Sequence, residues 1–413
     1  MQPTTPETAT SPVSRPDAGT PLYVHLPFCA AKCHYCDFFS VPAEGQDIDG
    51  MLRAILREAE LRAPRAPRTV YLGGGTPSLL STEQLRTFLD QLDRITGWRA
   101  SAAEVTAECN PESLDFDKAR CLLDLGVRRL SIGFQSLHDE VLQLFGRVHS
   151  VDDSFRAFDA ARRAGVEQLN VDLIYAAPGQ TEAQWSIDLE RVLALRPDHL
   201  SAYNLTFEEE TLFRRWLEQG RLAKQPEELE LALFHATRSR LSRAGFGAYE
   251  ISNFASHGSE CLHNVNYWKN GQYLGIGPSA VSKVGESRHG NARSIAAYKR
   301  QVEARGHACV WSETPSSLSR LGETWWLGLR LAEGLDAAEA RRRAAISAPE
   351  MGEEDDPAVP IAQRMLELGM LEREGETYLL SAAGLPLADA VAREFLDLGL
   401  EPAARGLERV AAE

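Results

Sequence analysis

Short apolar runs alternate along the chain with longer stretches whose apolar residues recur every three or four positions. The runs Leu22–Leu26, Thr69–Leu72, Val105–Glu108, Arg129–Ile132, Gln168–Ile174 and His199–Asn204 predict strands. Between them, Thr82–Thr96 sets Leu85, Phe88, Leu89 and Leu92 on one helical face behind the cap residue Ser81. Asp117–Leu125, Ser154–Ala164 and Glu182–Leu195 repeat that pattern. Strand and helix alternating at intervals of about thirty residues predict an α/β fold of βαβ units around a parallel sheet. Six strands fall short of the eight that close a barrel. An open partial barrel and a doubly wound sheet fit equally well at this point.

The second half of the chain is less regular. Pro226–Ala244 predicts a helix, followed by AYEISNFA and a loop rich in polar and aromatic residues. After Trp311 a helical segment carrying Trp325, Trp326, Leu329 and Leu331 opens a second unit. Ala344–Ala358 is acidic and contains proline, as a flexible connection would. Beyond it a helix leads into a hairpin that turns at Glu374-Gly375-Glu376, in the manner of a winged helix. DNA reading is not expected, because residues 311–413 hold 20 Asp and Glu against 10 Arg. A covering or protein-contact role fits better. The expected organisation is a disordered tail at 1–20, a barrel and adjoining site region at 21–310, and a helical and hairpin domain at 311–413.

Composition narrows the functional class. With 413 residues, 44% hydrophobic and 25% charged, the chain has room for a large α/β core and an appendage. Its net charge of -15 repels phosphate backbones, so nucleic acid is not an expected partner. No run approaches the ~18 apolar residues of a membrane span, and residues 1–20 lack the apolar core of a secretory signal. The expected location is the cytoplasm.

Candidate chemistry begins with Cys29, Cys33 and Cys36, which directly follow the strand YVHLPF. Three thiolates on one loop suit three irons of a four-iron cluster and leave the fourth open to a small molecule. Zinc is the rival reading. It usually joins two Cys or His pairs, no second pair stands out, and His34 between two ligands would strain a tetrahedral site. Cys109, Cys121, Cys261 and Cys309 are scattered and read as small buried side chains.

Other polar residues gather where barrel sites are built, at the C-terminal ends of predicted strands. Gly73-Gly74-Gly75-Thr76-Pro77 follows the second strand and lets backbone approach a ligand, offering N–H groups to polar atoms. Glu108, Gln135, Arg147 and Asp172 together suit a ligand with ribose hydroxyls and a carboxylate, although each alone would serve as a cap or surface charge.

The C-x3-C-x2-C loop after the first strand resembles that of the radical S-adenosylmethionine (SAM) enzymes. The resemblance implies a [4Fe-4S] cluster whose open iron chelates SAM, and reductive cleavage of SAM to a 5′-deoxyadenosyl radical. It also implies a partial (β/α)6 barrel of the TIM-like type, which selects the open barrel. The order GGGTP, ECNP, GFQS, GR, DLIY further resembles oxygen-independent coproporphyrinogen III dehydrogenases and their HemW-type relatives, over roughly residues 21 to 300. That likeness assigns SAM contacts to Tyr23, Tyr35, Gly74, Gly75, Thr76, Glu108, Gln135, Arg147 and Asp172.

Within this branch the dehydrogenases carry a fourth cysteine where this chain has Phe38, and HemW-type proteins lack it. The HemW-type signature HNxxYW is present from His263 to Trp268. The resemblance therefore implies a haem chaperone, with haem, haem-accepting proteins and an electron donor as partners, and peripheral membrane contact through the acceptors. Oxidative decarboxylation of coproporphyrinogen III is the alternative, and an interaction protein with a structural cluster is the third reading. His263 is the implied haem contact, while local chemistry equally suits His263 and Asn264 as pins for their loop. Relatives often read GPGAHS where this chain has Gly277-Pro278-Ser279-Ala280-Val281-Ser282, a form nearer the dehydrogenases.

Overall fold

The computed structural model describes residues 15–346, 351 and 355–399. The expected tail up to residue 14, and most of the acidic connection (347–350 and 352–354), lie outside the described residues. Residues 15–20 pack onto the barrel. Gly19 N donates to the Ala66 carbonyl at 3.0 Å, and the Arg15 guanidinium reaches the carbonyl of Ala63.

All six expected strands form: β1 Leu22–Leu26, β2 Thr69–Gly74, β3 Glu104–Cys109, β4 Arg129–Gln135, β5 Gln168–Tyr175 and β6 His199–Asn204. They pair in parallel, each with the next, through the βα connections that their periodicity predicts. Three short strands that the sequence does not announce extend the sheet. β8 Asn253–Ala255 pairs antiparallel with β6 and β7 Gly247–Ala248 antiparallel with β8, whereas β9 Leu274–Ile276 lies parallel to β1. The order β9-β1-β2-β3-β4-β5-β6-β8-β7 is an open, partial barrel, as the resemblance implies.

The crossover helices sit close to their expected places. Thr82–Thr96 begins at Ser81, whose side chain accepts from Gln84 N while Gln84 Oε1 accepts from Ser81 N. That reciprocal cap satisfies two of the donors that a helix start leaves open. Leu85, Phe88, Leu89 and Leu92 are buried against the sheet, as their spacing requires. The helices Phe116–Asp124, Val151–Arg163, Glu182–Ala194 and Glu227–Arg243 follow the same logic.

One buried polar assembly joins the first helix to the segment after β9. Glu58 and Arg62, on the helix Ile48–Arg62, pair at 2.6 Å with both side chains buried. Glu58 also accepts from Gly277 N, Asn291 Nδ2 and the Tyr298 hydroxyl. A buried carboxylate is tolerable only with such full partnering, and here it fixes the Gly277–Ser282 turn.

Strands β10 Val281–Val284, β11 Ser287–Asn291 and β12 Cys309–Glu313 form a separate antiparallel sheet. β12 crosses the 310/311 border expected from sequence. The second core then builds on the helix Ser317–Gly328, whose Trp325 stacks on Phe395 at 4.9 Å and 6°. The expected helix and hairpin are present as Ala358–Glu367 followed by β13 Leu371–Glu374 and β14 Thr377–Leu380. Among the described residues, no helix is long and apolar enough to cross a membrane.

Candidate functional site

The cysteine loop leaves β1 and is braced by two histidines. Phe28–Cys29 forms a small parallel ladder with Val41–Pro42 at its base. His25, inside β1, holds the far limb through Nε2 and the Phe39 carbonyl at 2.8 Å. Burial pushes its imidazole pKa down to about 4, so it stays neutral. His34 is fixed through Nδ1 to the Leu144 carbonyl at 2.9 Å, with its ring against Trp216. These two side chains set the loop's shape.

Cys29, Cys33 and Cys36 line one face of a cavity of about 990 Å3 at the C-terminal ends of the barrel strands. Cys29 Sγ accepts from the Thr76 hydroxyl at 3.6 Å, and Cys33 Sγ from Arg147 Nη1 at 3.5 Å. Burial raises the Cys29 thiol pKa and pushes that of Cys36 up to about 11. Bound iron reverses that preference, because a coordinated thiol is deprotonated. Among the described residues, no three His, Cys, Asp or Glu side chains converge enough to hold one metal ion. The three cysteines nevertheless share one wall of the cavity, and a four-iron cluster gives each thiolate its own iron. The residues present fit the cluster.

The same cavity gathers Tyr35, Gly74, Gly75, Thr76, Glu108, Gln135, Arg147 and Asp172. Tyr23 is placed differently. Its hydroxyl bonds to His25 Nδ1 at 3.0 Å, and it lines a neighbouring cavity of about 270 Å3 with Phe38, Tyr267, Ser279 and Val281.

The glycine run behaves differently from the simple expectation of open N–H groups. Gly75 N donates to the Leu26 carbonyl at 2.8 Å and Thr76 N to the Phe28 carbonyl at 2.7 Å. Gly74 N donates to Glu108 Oε2 at 3.0 Å. These donors stitch β2 to its neighbours rather than await a ligand. Gly74 has φ +95°, and a Cβ there would lie 2.4 Å from the His25 ring. Glycine is required at that position by both conformation and contact.

The carboxylates sit on inward-facing strand positions. Glu108 Oε1 accepts from the Tyr71 hydroxyl at 2.9 Å, and burial pushes its carboxyl pKa up to about 7. Asp172 accepts from the Ser131 hydroxyl at 2.8 Å and from Asn170 Nδ2 at 2.7 Å, with its pKa raised by burial.

Gln135 owes its orientation to a bulge. The β4–β5 register shifts between Gly133 and Gln135, and Gln135 adopts φ +65°. Such a bulge re-aims a side chain at a strand end. Gly133 makes room for it, since a Cβ there would lie 2.6 Å from Gln135 Nε2. Arg147 donates to Asn110 Oδ1 at 2.7 Å and to the Gly133 carbonyl at 3.2 Å. Burial opposes its charge, but Tyr35, Cys33 and Glu112 outweigh burial and hold its pKa above the ordinary value. Asn110, Gly133 and His25 are site residues that the sequence reading missed. Asn110 and Gly133 lie inside ECNP and GFQ, the motifs already singled out.

His263 does not line the main cavity, although Asn264 does. It is buried between β2 and its own short helix Leu262–Trp268. Nδ1 bonds to the Thr69 hydroxyl at 2.8 Å and Nε2 to the Tyr267 hydroxyl at 3.0 Å. Burial pushes its pKa down to about 3. Glu104 accepts from the backbone N–H groups of Leu262 and His263, which anchors the helix start. In this arrangement His263 pins its loop, and ligation of haem iron through either nitrogen would require that nitrogen's bond, to Thr69 or to Tyr267, to break.

Comparison with known proteins identifies the family. The family description "Radical SAM superfamily" matches residues 23–192. The chain is 33% identical over 380 residues to the heme chaperone HemW of Bacillus subtilis (strain 168), covering 91% of this chain and 98% of that one. It is 35% identical over 382 residues to the heme chaperone HemW of Mycobacterium tuberculosis (strain ATCC 25618 / H37Rv), covering 91% and 94%. Among solved structures, coproporphyrinogen III oxidase (HemN) from Escherichia coli, described as a radical SAM enzyme, shares the fold. Its TM-score is 0.77 with 24% identity, over 92% of this chain and 90% of that one. On the strength of its near full-length relatives, the chain belongs to the HemW family of radical SAM proteins.

Proposed function

We propose that this protein is a haem chaperone, which binds haem and delivers it to acceptor proteins. Bacterial relatives aligned over nine-tenths of the chain carry the name heme chaperone HemW. The observation that carries the reading is the mixed lining of the large cavity. The three cysteines, Glu108, Asp172 and Arg147 line part of it, and Ile174, Leu205, Phe234, Leu385 and Leu387 add apolar surface beside the carboxylates Glu208, Glu227 and Glu230. The volume lies at the upper end of the range for small-molecule sites, with room for a flat apolar ligand beside a nucleoside-sized one.

In this reading Cys29, Cys33 and Cys36 hold a [4Fe-4S] cluster, which supplies one-electron chemistry and an open iron for the amino-acid end of SAM. The carbonyl oxygens of Gly74 and Gly75 suit the SAM ammonium, which needs acceptors. Glu108, Gln135 and Asp172 suit ribose hydroxyls. Tyr35 packs edge-on against Phe145 at 5.1 Å and closes the loop side of the site. Thr76 and Arg147 donate to ligand sulfurs and hold them in place. The protein works in the cytoplasm with an electron donor and haem-accepting proteins.

The test is transfer. Haem-loaded protein carrying its cluster is mixed with an apo haem protein, and the acceptor's Soret band is followed with and without SAM. Transfer faster than from free haem is expected. Absence of transfer, together with consumption of coproporphyrinogen III in the presence of SAM and a reductant, would instead establish the decarboxylase.

A further inference from the structure

The mouth of the large cavity is completed by the C-terminal unit through Arg330 and the segment Leu385–Asp389. Three arginines line the cavity. Arg129 donates to the Ser259 carbonyl at 2.9 Å, and Arg147 is engaged by Asn110, Gly133 and Cys33. Arg330 is held differently. Its guanidinium lies 4.9 Å from the centre of the Trp268 ring, and Nη1 donates to Asp389 Oδ1 at 2.7 Å. Its Nε is buried without a hydrogen-bond partner.

The two partners are unequal. The Arg330 side chain is 17% exposed and Asp389 is 84% exposed. An ion pair with one member in water contributes little, so Asp389 leaves at small cost. A guanidinium stacked on an aromatic face is already oriented as a fork for a planar carboxylate. Leu385, Pro386 and Leu387, just before Asp389, give the same rim an apolar surface. An apolar rim beside one displaceable carboxylate–arginine pair suits a ligand with a flat apolar body and a peripheral carboxylate.

We propose that Arg330 anchors the ligand of this cavity through a carboxylate, a propionate in the case of haem, and that Asp389 is the internal carboxylate it displaces. The inference rests on the cavity being the porphyrin site proposed above. Arg330 and Asp389 both belong to the C-terminal unit, so displacement opens a contact within that rim while Arg330 stays against Trp268.

The cluster-loaded protein is titrated anaerobically with haem and with haem dimethyl ester, for the wild type, Arg330→Gln and Asp389→Asn. Arg330→Gln is expected to weaken haem roughly tenfold, the worth of one charge-assisted hydrogen bond at a partly exposed site. Asp389→Asn is expected to tighten haem, because the competing carboxylate is gone. Neither substitution should move the ester, and neither should move SAM affinity. Equal effects on haem and ester, no effect on either, or a loss confined to SAM would overturn the anchor. Asp389 is exposed, so its variant remains informative if Arg330→Gln folds poorly. A wild type that binds no haem would count against the chaperone reading. The anchor is then decided with coproporphyrin, a carboxylate-bearing macrocycle, where the same opposite shifts support it and their absence overturns it.

Discussion

Arg147 Nη1 donates to Cys33 Sγ at 3.5 Å, so a half-buried, permanently charged guanidinium touches a ligand of the proposed cluster. Hydrogen bonds and positive charge at ligand sulfur favour the reduced, more negative cluster. Arg147→Met should therefore lower the cluster's reduction potential, read by a redox titration of the reduced-cluster EPR signal. An unchanged potential would mean that the contact is not made in the loaded protein.

Cys33→Ala should lose the cluster's visible absorbance and bound iron while keeping the far-ultraviolet circular dichroism of the barrel. The loop carrying Cys33 is held by His25 and His34 rather than by the three thiols. Retained iron at the wild-type level would contradict the ligand assignment.

Glu108 gives the cluster-free chain a stability that falls toward neutral pH. Its carboxyl is pushed up to about 7, against 4.5 unperturbed, so the folded chain binds more protons than the unfolded one between those values. Stability then drops as pH rises through the window, on the order of 1.4 kcal/mol per pH unit, and is flat above it. Glu108→Gln should flatten that limb in urea melts and weaken SAM binding. A wild-type limb that survives the substitution would assign it to another group.

His263 acts in the opposite direction. Its pKa is pushed down to about 3 from 6.5, so the unfolded chain takes up the proton first as pH falls. Stability present above 6.5 is lost progressively toward pH 3. His263→Gln should shrink that acid-side loss, and His263→Ala should cost about 1–3 kcal/mol at pH 7 by orphaning Thr69 and Tyr267. A fully stable alanine variant would show that the two bonds do not pin the loop.

Ser279 occupies φ +64°, in the left-handed region that glycine adopts without steric cost. A left-handed conformation costs a non-glycine residue about 1–2 kcal/mol. Ser279→Gly should raise the melting temperature. A decrease would mean that the serine side chain stabilises the turn.

The βα repeats were legible because each strand and helix carries its own periodicity, and even the Ser81 cap could be read locally. β9 was not, since three residues, Leu274–Ile276, show no alternation and gain their place only by pairing with β1. The site divides in the same way. The cysteines, Glu108 and Asp172 lie in recognisable motifs, whereas the Gln135 bulge arises from pairing between strands and the Arg147–Asn110 bond joins two loops distant in sequence. Nothing local in Leu385–Asp389 announces that it walls a cavity in a barrel some two hundred residues earlier.

The central claim is that the cavity takes haem, and the most direct measurement is an anaerobic titration of the cluster-loaded protein followed at the Soret band. Saturation at one haem per chain, with the cluster spectrum retained, is the predicted result. Binding that never saturates, or that persists unchanged when the cavity is blocked by Ile174→Trp, would contradict it.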